Sequence, residues 1–467
     1  MDYMDENEHQ TNLLTKVARF ENMLSSSCNL YFDREDFQEL VDYYLSIQDE
    51  NRAKTVLDYA FEQHPGSAEL RLAQAHVLIA NNLLKDALDL LKELEMMLPE
   101  NGEILMAKGT VYSRLKIKEK ALSCFKSAVD KVEFSEDVYF LVAMEYQNNM
   151  EYELAIKYHK KALIENPAFE LSLFAINTCF DCIDNLTEAI KFYEHFIDAN
   201  PYSETAWFNL GTMNAKNECY EDAVTAYDYA LAINPYFSSA LFNKANSLAS
   251  NEKYEEAITC YKETFEHEAP NYITYCYMGE CYERLRDFDE ALKYFDKAIK
   301  SESSYSDAWL GKAIALDHMN ESMDAYKCAK KALEINDKEP DYWFTCAELQ
   351  EKLGLVEEAL DSMEKAIKLD QEDVGLMIHY VQLIYRNMDI LSTFEIVNEA
   401  LAVFPSQAKL HYFKTGLCLC SGQYKEAYKH LETGLTFDVN AHQFLFDNFP
   451  EAKKNQNILE IISQKQD

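Results

Sequence analysis

The sequence predicts an all-α fold: an array of about twelve helical hairpins of 34 residues each, with a helix at either end. Three observations predict it. Small residues recur at a 34-residue step along nearly the whole chain. Proline recurs in the same register. Chain breakers are scarce, with 11 Gly and 9 Pro in 467 residues, against 31 Tyr and 26 Phe, which speaks against an all-β domain full of tight turns.

The columns are legible by eye. From Ala223 the step gives Ala257, Ala291, Ala325 and Ala359, and backwards Ala189, Ala155, Ala121, Ala87 and Ala53. Forwards it passes Thr393 and reaches Ala427. A second column holds Ala60, Ala128, Ala162, Ala230, Ala298, Ala332, Ala366 and Ala400. A third holds Pro65, Pro99, Pro167, Pro201, Pro235 and Pro405.

Taken in chain order, residues 1–33 come first. They contain TNLLTKVARFENML, an apolar stripe at helical spacing that reads as a capping helix. Residues 34–441 hold twelve units, starting at Arg34, Ala68, Gly102, Glu136, Glu170, Glu204, Ser238, Tyr272, Ser306, Pro340, Val374 and Ala408. In each, two stretches carry apolar residues at helical spacing, as in Trp207, Leu210 and Gly211, then Ala223, Tyr227 and Ala230. Small residues such as Gly211 and Ala223 let the two helices approach, while Trp207 and Tyr227 fill the space beside them. Pro235 follows the second helix and stops it. Residues 442–467, with FLFDNF, Pro450 and NILEIISQ, read as a C-terminal capping helix and tail. No Gly/Ser- or Pro-rich linker divides the chain, so one elongated domain is expected. Asn177, Val41, Val381 and Thr415 replace the small residue of their column and Thr393 breaks the alanine column, so the first, fifth, eleventh and twelfth units are expected to pack less regularly.

This pattern resembles the tetratricopeptide repeat. Trp207, Leu210 with Gly211, Ala223, Tyr227, Ala230 and Pro235 match the family positions, and Tyr112, Tyr146 and Tyr282 supply the first-helix tyrosine that Asn214 replaces in its own unit. The resemblance implies a right-handed superhelix whose first helices line a groove, exposing the second, fifth, sixth, ninth, twelfth and thirteenth positions of each unit. It also implies protein partners, and self-association as a known habit of the family.

Composition narrows the partners. With 44 Lys and Arg against 81 Asp and Glu, the net charge is −37, which repels nucleic acid and anionic membrane. No run of 18 apolar residues occurs, so membrane insertion is not expected. The N-terminus lacks a basic region followed by an apolar core, so no secretory signal is visible. Twelve scattered Cys then suit reduced thiols in a cytoplasm.

Catalytic chemistry is hard to find. There is no phosphate-cradling Gly-rich loop and no His-Glu-x-x-His, and the 11 His are dispersed. Cys179 and Cys182 form a Cys-x-x-Cys, but late in a helix with no strand nearby; packed thiols are the simpler reading. Cys276 and Cys281 are read the same way. No catalytic residue, cofactor or metal is expected.

The candidate binding residues come from the implied groove. The fifth positions give Phe140, Phe174, Phe208 and Phe242 in consecutive units, and later Phe344. Beside them stand Asn209, Asn243 and Asn246, whose amides suit the backbone of an extended peptide. Acidic residues at the second, ninth and twelfth positions, including Glu35, Glu69, Glu103, Asp42, Asp181, Glu280, Glu283, Asp317, Glu348 and Glu351, would steer a basic partner. The competing reading is that the Phe rings pack as core between neighbouring helices. The expectation is a non-enzymatic adaptor that binds extended or helical segments, basic or apolar, of partner proteins. The alternatives are a self-associating structural scaffold and a regulatory subunit of an enzyme or RNA-associated complex.

Overall fold

The computed structural model describes residues 2–26 and 30–466. Every regular element among them is helical. The chain forms two compact units, Met1–Ala240 and Leu241–Asp467. The sequence reads as one domain; the division is compatible with its repeats, because each repeat meets only its neighbours and no single core spans an array.

The first unit opens with α1 (Asp2–Ser26). Hairpins follow: α2 (Arg34–Ser46) with α3 (Glu50–Gln63), α4 (Ala68–Ala80) with α5 (Leu84–Met97), and α6 (Gly102–Arg114) with α7 (Lys118–Ala128). Next come α8 (Ser135–Asn148) with α9 (Tyr152–Glu165), α10 (Glu170–Cys182) with α11 (Leu186–Ala199), and α12 (Glu204–Lys216) with α13 (Tyr220–Ile233). Then α14 (Ser238–Ser250) precedes α15 (Tyr254–His267), and α16 (Tyr272–Arg284) precedes α17 (Phe288–Ser301). The array continues with α18 (Ser306–His318) and α19 (Ser322–Ile335), α20 (Pro340–Lys352) and α21 (Val356–Leu369), α22 (Val374–Asn387) and α23 (Ile390–Val403), and α24 (Ala408–Cys420) and α25 (Tyr424–Phe437). The short α26 (Gln443–Asn448) and α27 (Gln456–Gln466) end the chain.

Local chemistry sets these boundaries. Ser67, Asn101, Ser203 and Asn271 cap first helices, each side-chain oxygen accepting from the backbone N–H three residues on. Between the two helices of a hairpin the chain turns through one left-handed residue, as at Lys116 (φ 61°), Glu218 (φ 59°) and Gly354 (φ 76°). The eleventh hairpin alone departs: Met388 there is extended, with φ −124° and ψ −177°, and Asp389 caps the next helix instead.

In the third, sixth and eighth hairpins a glycine faces a large ring sixteen positions later: Gly109 before Phe125, Gly211 before Tyr227 and Gly279 before Phe295. A Cβ on Gly279 would stand 2.7 Å from Cε1 of Phe295. Where the first member is larger, the second is smaller: fully buried Val41 shares a cluster with Leu57, and Val381 with Val397. The first and twelfth hairpins keep the left-handed turn residue, at Gln48 and Gly422, and Thr415 of the twelfth is fully buried and donates to the His411 carbonyl at 2.9 Å.

At the N-terminal end Phe20 and Met23 of α1 pack on Phe37 and Leu40 of α2. Lys16 bridges α1 to Asp36 at 2.8 Å and Glu39 at 2.7 Å. At the other end Leu445, Phe449, Ile458 and Ile462 join a core with Phe413 and Leu431. No helix among the described residues is long and apolar enough to cross a membrane.

Candidate functional site: the wall of first helices

In the first unit a cleft of about 510 Å³ is lined by first helices, α2, α4, α6 and α8. Its residues repeat at the 34-residue step. Gln38, Leu72 and Met106 come from the fifth position, Asp42, His76 and Thr110 from the ninth. The stack thus turns one periodicity of the sequence into one surface.

The electrostatics of the cleft are acidic. Burial pushes the His76 imidazole below its ordinary range, against the pull of Asp42 and Glu103, so it stands neutral at pH 7. Burial likewise pushes the Asp42 carboxyl up. Glu69 is held below the usual carboxylate range by the Ser67 hydroxyl and its own backbone N–H, with help from Arg34. Arg114 is turned away to the Ile79 carbonyl at 2.6 Å.

Arg114 belongs to a ladder along the first helices. The thirteenth-position cation of one unit reaches the twelfth position of the unit before it. Lys216 meets Asp181 at 2.6 Å, Lys352 meets Asp317 at 2.5 Å and Arg386 meets Glu351 at 3.0 Å; at the same place the His318 ring, an ion-pair partner only when protonated, lies 3.7 Å from Glu283. These acids, expected to face a basic partner, are already engaged within the stack. A charge count by column could not show this; the 35-residue spacing between cation and acid could have.

The Phe row is divided. The Phe140 ring lies 5.7 Å from both Phe169 and His159. Phe208 lies 4.9 Å from Phe237 and 5.9 Å from Tyr227. Phe242 packs 5.9 Å from Tyr261 and from Tyr277, and Phe344 4.9 Å from His379. These four are half-buried, whereas Phe174 is 46% exposed.

Asn209 is not on the wall. It is fully buried, donates to the Leu173 carbonyl at 2.9 Å and accepts from Asn177 at 2.7 Å. Asn177 also accepts from the Tyr193 hydroxyl. This polar knot replaces the small-against-large packing of other hairpins, so Asn209 carries structure there rather than a ligand. Asn243 is half-buried. Asn246, which accepts from the Tyr261 hydroxyl, and Glu280 both line a second cleft, of about 560 Å³, in the second unit. Burial raises the Glu280 carboxyl, with Asp307 adding to the shift. Burial also raises Glu348, against His379.

Buried Cys179 and Cys281 are unsuited to nucleophilic or redox work. Burial pushes Cys179 and Cys281 up to about 12, the opposite of an activated thiol. Among the described residues no three His, Cys, Asp or Glu side chains cluster to hold a metal ion.

Comparison with known proteins follows the same lines. Models described as tetratricopeptide repeat match residues 48–127, 184–237 with 216–271, 272–305 and 340–373. Together they take in about half of the chain, which belongs to the tetratricopeptide repeat family as a multi-repeat member. No curated protein matches the chain. A chain of the APC/C hetero-tetramer Cut9–Hcn1 is similar in structure at 15% identity and TM-score 0.42, over 91% of this chain and 94% of that one. YrrB, described as a TPR protein with an unusual peptide-binding site, gives 18% identity and TM-score 0.32 over 40% of this chain and 95% of its own. TTC0263, a thermophilic TPR protein of Thermus thermophilus, gives 22% and 0.35, over 39% and 100%.

Proposed function

We propose that the chain is a non-enzymatic, cytoplasmic scaffold that holds partner proteins by extended or helical segments laid against its first helices. One observation carries the reading: the cleft of the first unit is built from the fifth and ninth positions of three consecutive repeats. Such a site offers equivalent subsites at fixed intervals, so contacts that are weak singly add along one segment. Asp42, Glu69 and Glu103 with neutral His76 favour a segment carrying Lys or Arg between apolar side chains.

The test is a titration of a fluorescein-labelled peptide of alternating Lys and Leu with the full chain, read by anisotropy. Saturable binding is expected, and the variant carrying Asp42→Lys with Glu103→Lys should weaken it at least about ten-fold. Absence of saturation, or equal binding by the variant, would sink this site. Turnover in a broad hydrolase and transferase screen would overturn the non-enzymatic part.

A further inference from the structure

A third cleft lies away from the first-helix wall. It runs between the second helices α9 and α11 of the fourth and fifth hairpins and encloses about 640 Å³. That is within the range of roughly 300–1,000 Å³ typical of pockets that engulf a ligand. Its floor is apolar: Leu163 and Ile164 come from α9, Phe192 and Phe196 from α11. Ile164 is 76% exposed, an apolar side chain that the fold leaves in water beside a groove with room to cover it.

The rim is of the opposite sign to the chain. It carries Lys160 and Lys191 against a single carboxylate, Glu188. Glu188 is already spent, with one oxygen 3.3 Å from Lys160 Nζ and the other accepting from Asn185 at 3.2 Å. Lys160 also leans over the Phe192 ring, 5.0 Å from its centroid. Lys191 is exposed and pairs with no carboxylate among the described residues. Glu165, Glu194 and Asp198 do not line the cleft. In a chain of net charge −37, this is an apolar slot with a cationic lip.

We propose that this cleft docks a short acidic segment of a partner protein, whose bulky apolar side chains enter between α9 and α11 while its carboxylates face Lys191 and Lys160. A second copy of this chain would set its charge of −37 against the whole molecule, whereas a short segment meets only the lysines within a Debye length of the lip. A basic segment would meet the lip with like charge. The site differs in face and in sign from the acidic first-helix cleft, so the chain would hold two kinds of segment at once.

The experiment titrates the full chain into a fluorescein-labelled peptide, Asp-Glu-Leu-Glu-Glu-Phe-Leu-Asp, and reads anisotropy. Saturation is expected, weakening as salt rises. Ile164→Ser should weaken binding about ten-fold and Lys191→Glu about five-fold, with helicity and melting unchanged for these exposed residues. Phe174→Ser, on the first-helix wall, should leave the affinity alone. Failure of the peptide to saturate, or unchanged affinity in both cleft variants, would overturn the proposal. So would sedimentation showing a dimer that Ile164→Ser dissolves, since the occupant would then be a second copy. Should Ile164→Ser misfold, Lys191→Glu decides alone.

Discussion

Tyr227 lies so close to Gly211 that a Cβ added to the glycine would stand 2.6 Å from the tyrosine Cε1. Tyr227 is itself almost fully buried and cannot swing into water. Gly211→Val should therefore cost about 1–3 kcal/mol through overpacking. Tyr227→Leu placed on top of it should recover part of the loss, because Val41 facing Leu57 is a pairing the first hairpin already uses. Gly66→Ala, where nothing lies within 4 Å, is the control and should change melting little. Equal melting of Gly211→Val and wild type would refute the small-against-large account.

The hairpin turns offer a gain. Glu218 and Lys116 hold left-handed backbone, φ 59° and 61°, where a Cβ is strained and glycine is not. Glu218→Gly is expected to stabilise by up to about 1 kcal/mol, net of the entropy that glycine adds to the unfolded chain. Gly354→Ala, at φ 76°, should destabilise by a similar amount. Denaturant midpoints measured side by side check both signs, and a loss for Glu218→Gly would remove the strain argument.

How much of this was legible beforehand follows from which forces are periodic. The unit boundaries, the Gly211 and Tyr227 pairing and the end helices rest on apolar size and spacing, which repeat with the sequence. The partners of Asn209, Asp181 and Asp317 do not, because each depends on which side chain one neighbouring repeat happens to present. Asn209 looks like a groove residue until Leu173 and Asn177 are seen to occupy its amide. Asp317 looks free until Lys352 arrives from the next unit. The cleft of the first unit was likewise hidden: it is lined from the fifth and ninth columns of the first three repeats, whereas the row of Phe marks the fourth to seventh. The smaller Gln38, Leu72 and Met106, which leave room for a ligand, stand in the first three.

Acid should expose a buried imidazole. His159 is fully buried, its Nδ1 3.1 Å from the Ser172 hydroxyl and its Nε2 without a partner among the described residues. Burial lowers its pKa from the ordinary 6.5 to about 4. The unfolded chain then binds the proton first, so the stability is complete above pH 6.5 and is lost as pH falls through 4, by on the order of 3 kcal/mol. His430, lowered to about 4 by burial and by Lys414 and His411, adds in the same sense. Comparing the fall in melting temperature between pH 7 and 4.5 for wild type and His159→Leu isolates the first group from the carboxylate background. An equal fall in both would show that His159 does not carry the effect.

The Phe row yields the sharpest separation of structure from binding. Phe208 is half-buried against Phe237 and Tyr227, so Phe208→Ser should cost about 2–3 kcal/mol through the ring packing it removes. Phe174 stands 46% exposed, and Phe174→Ser should stay within about 0.5 kcal/mol of wild type. Residues at equivalent places in successive repeats would thus differ several-fold in their effect on folding. Thermal melts of the two variants decide it: if Phe208→Ser melts as wild type does, the ring is free to meet a ligand and the row reverts to a binding stripe.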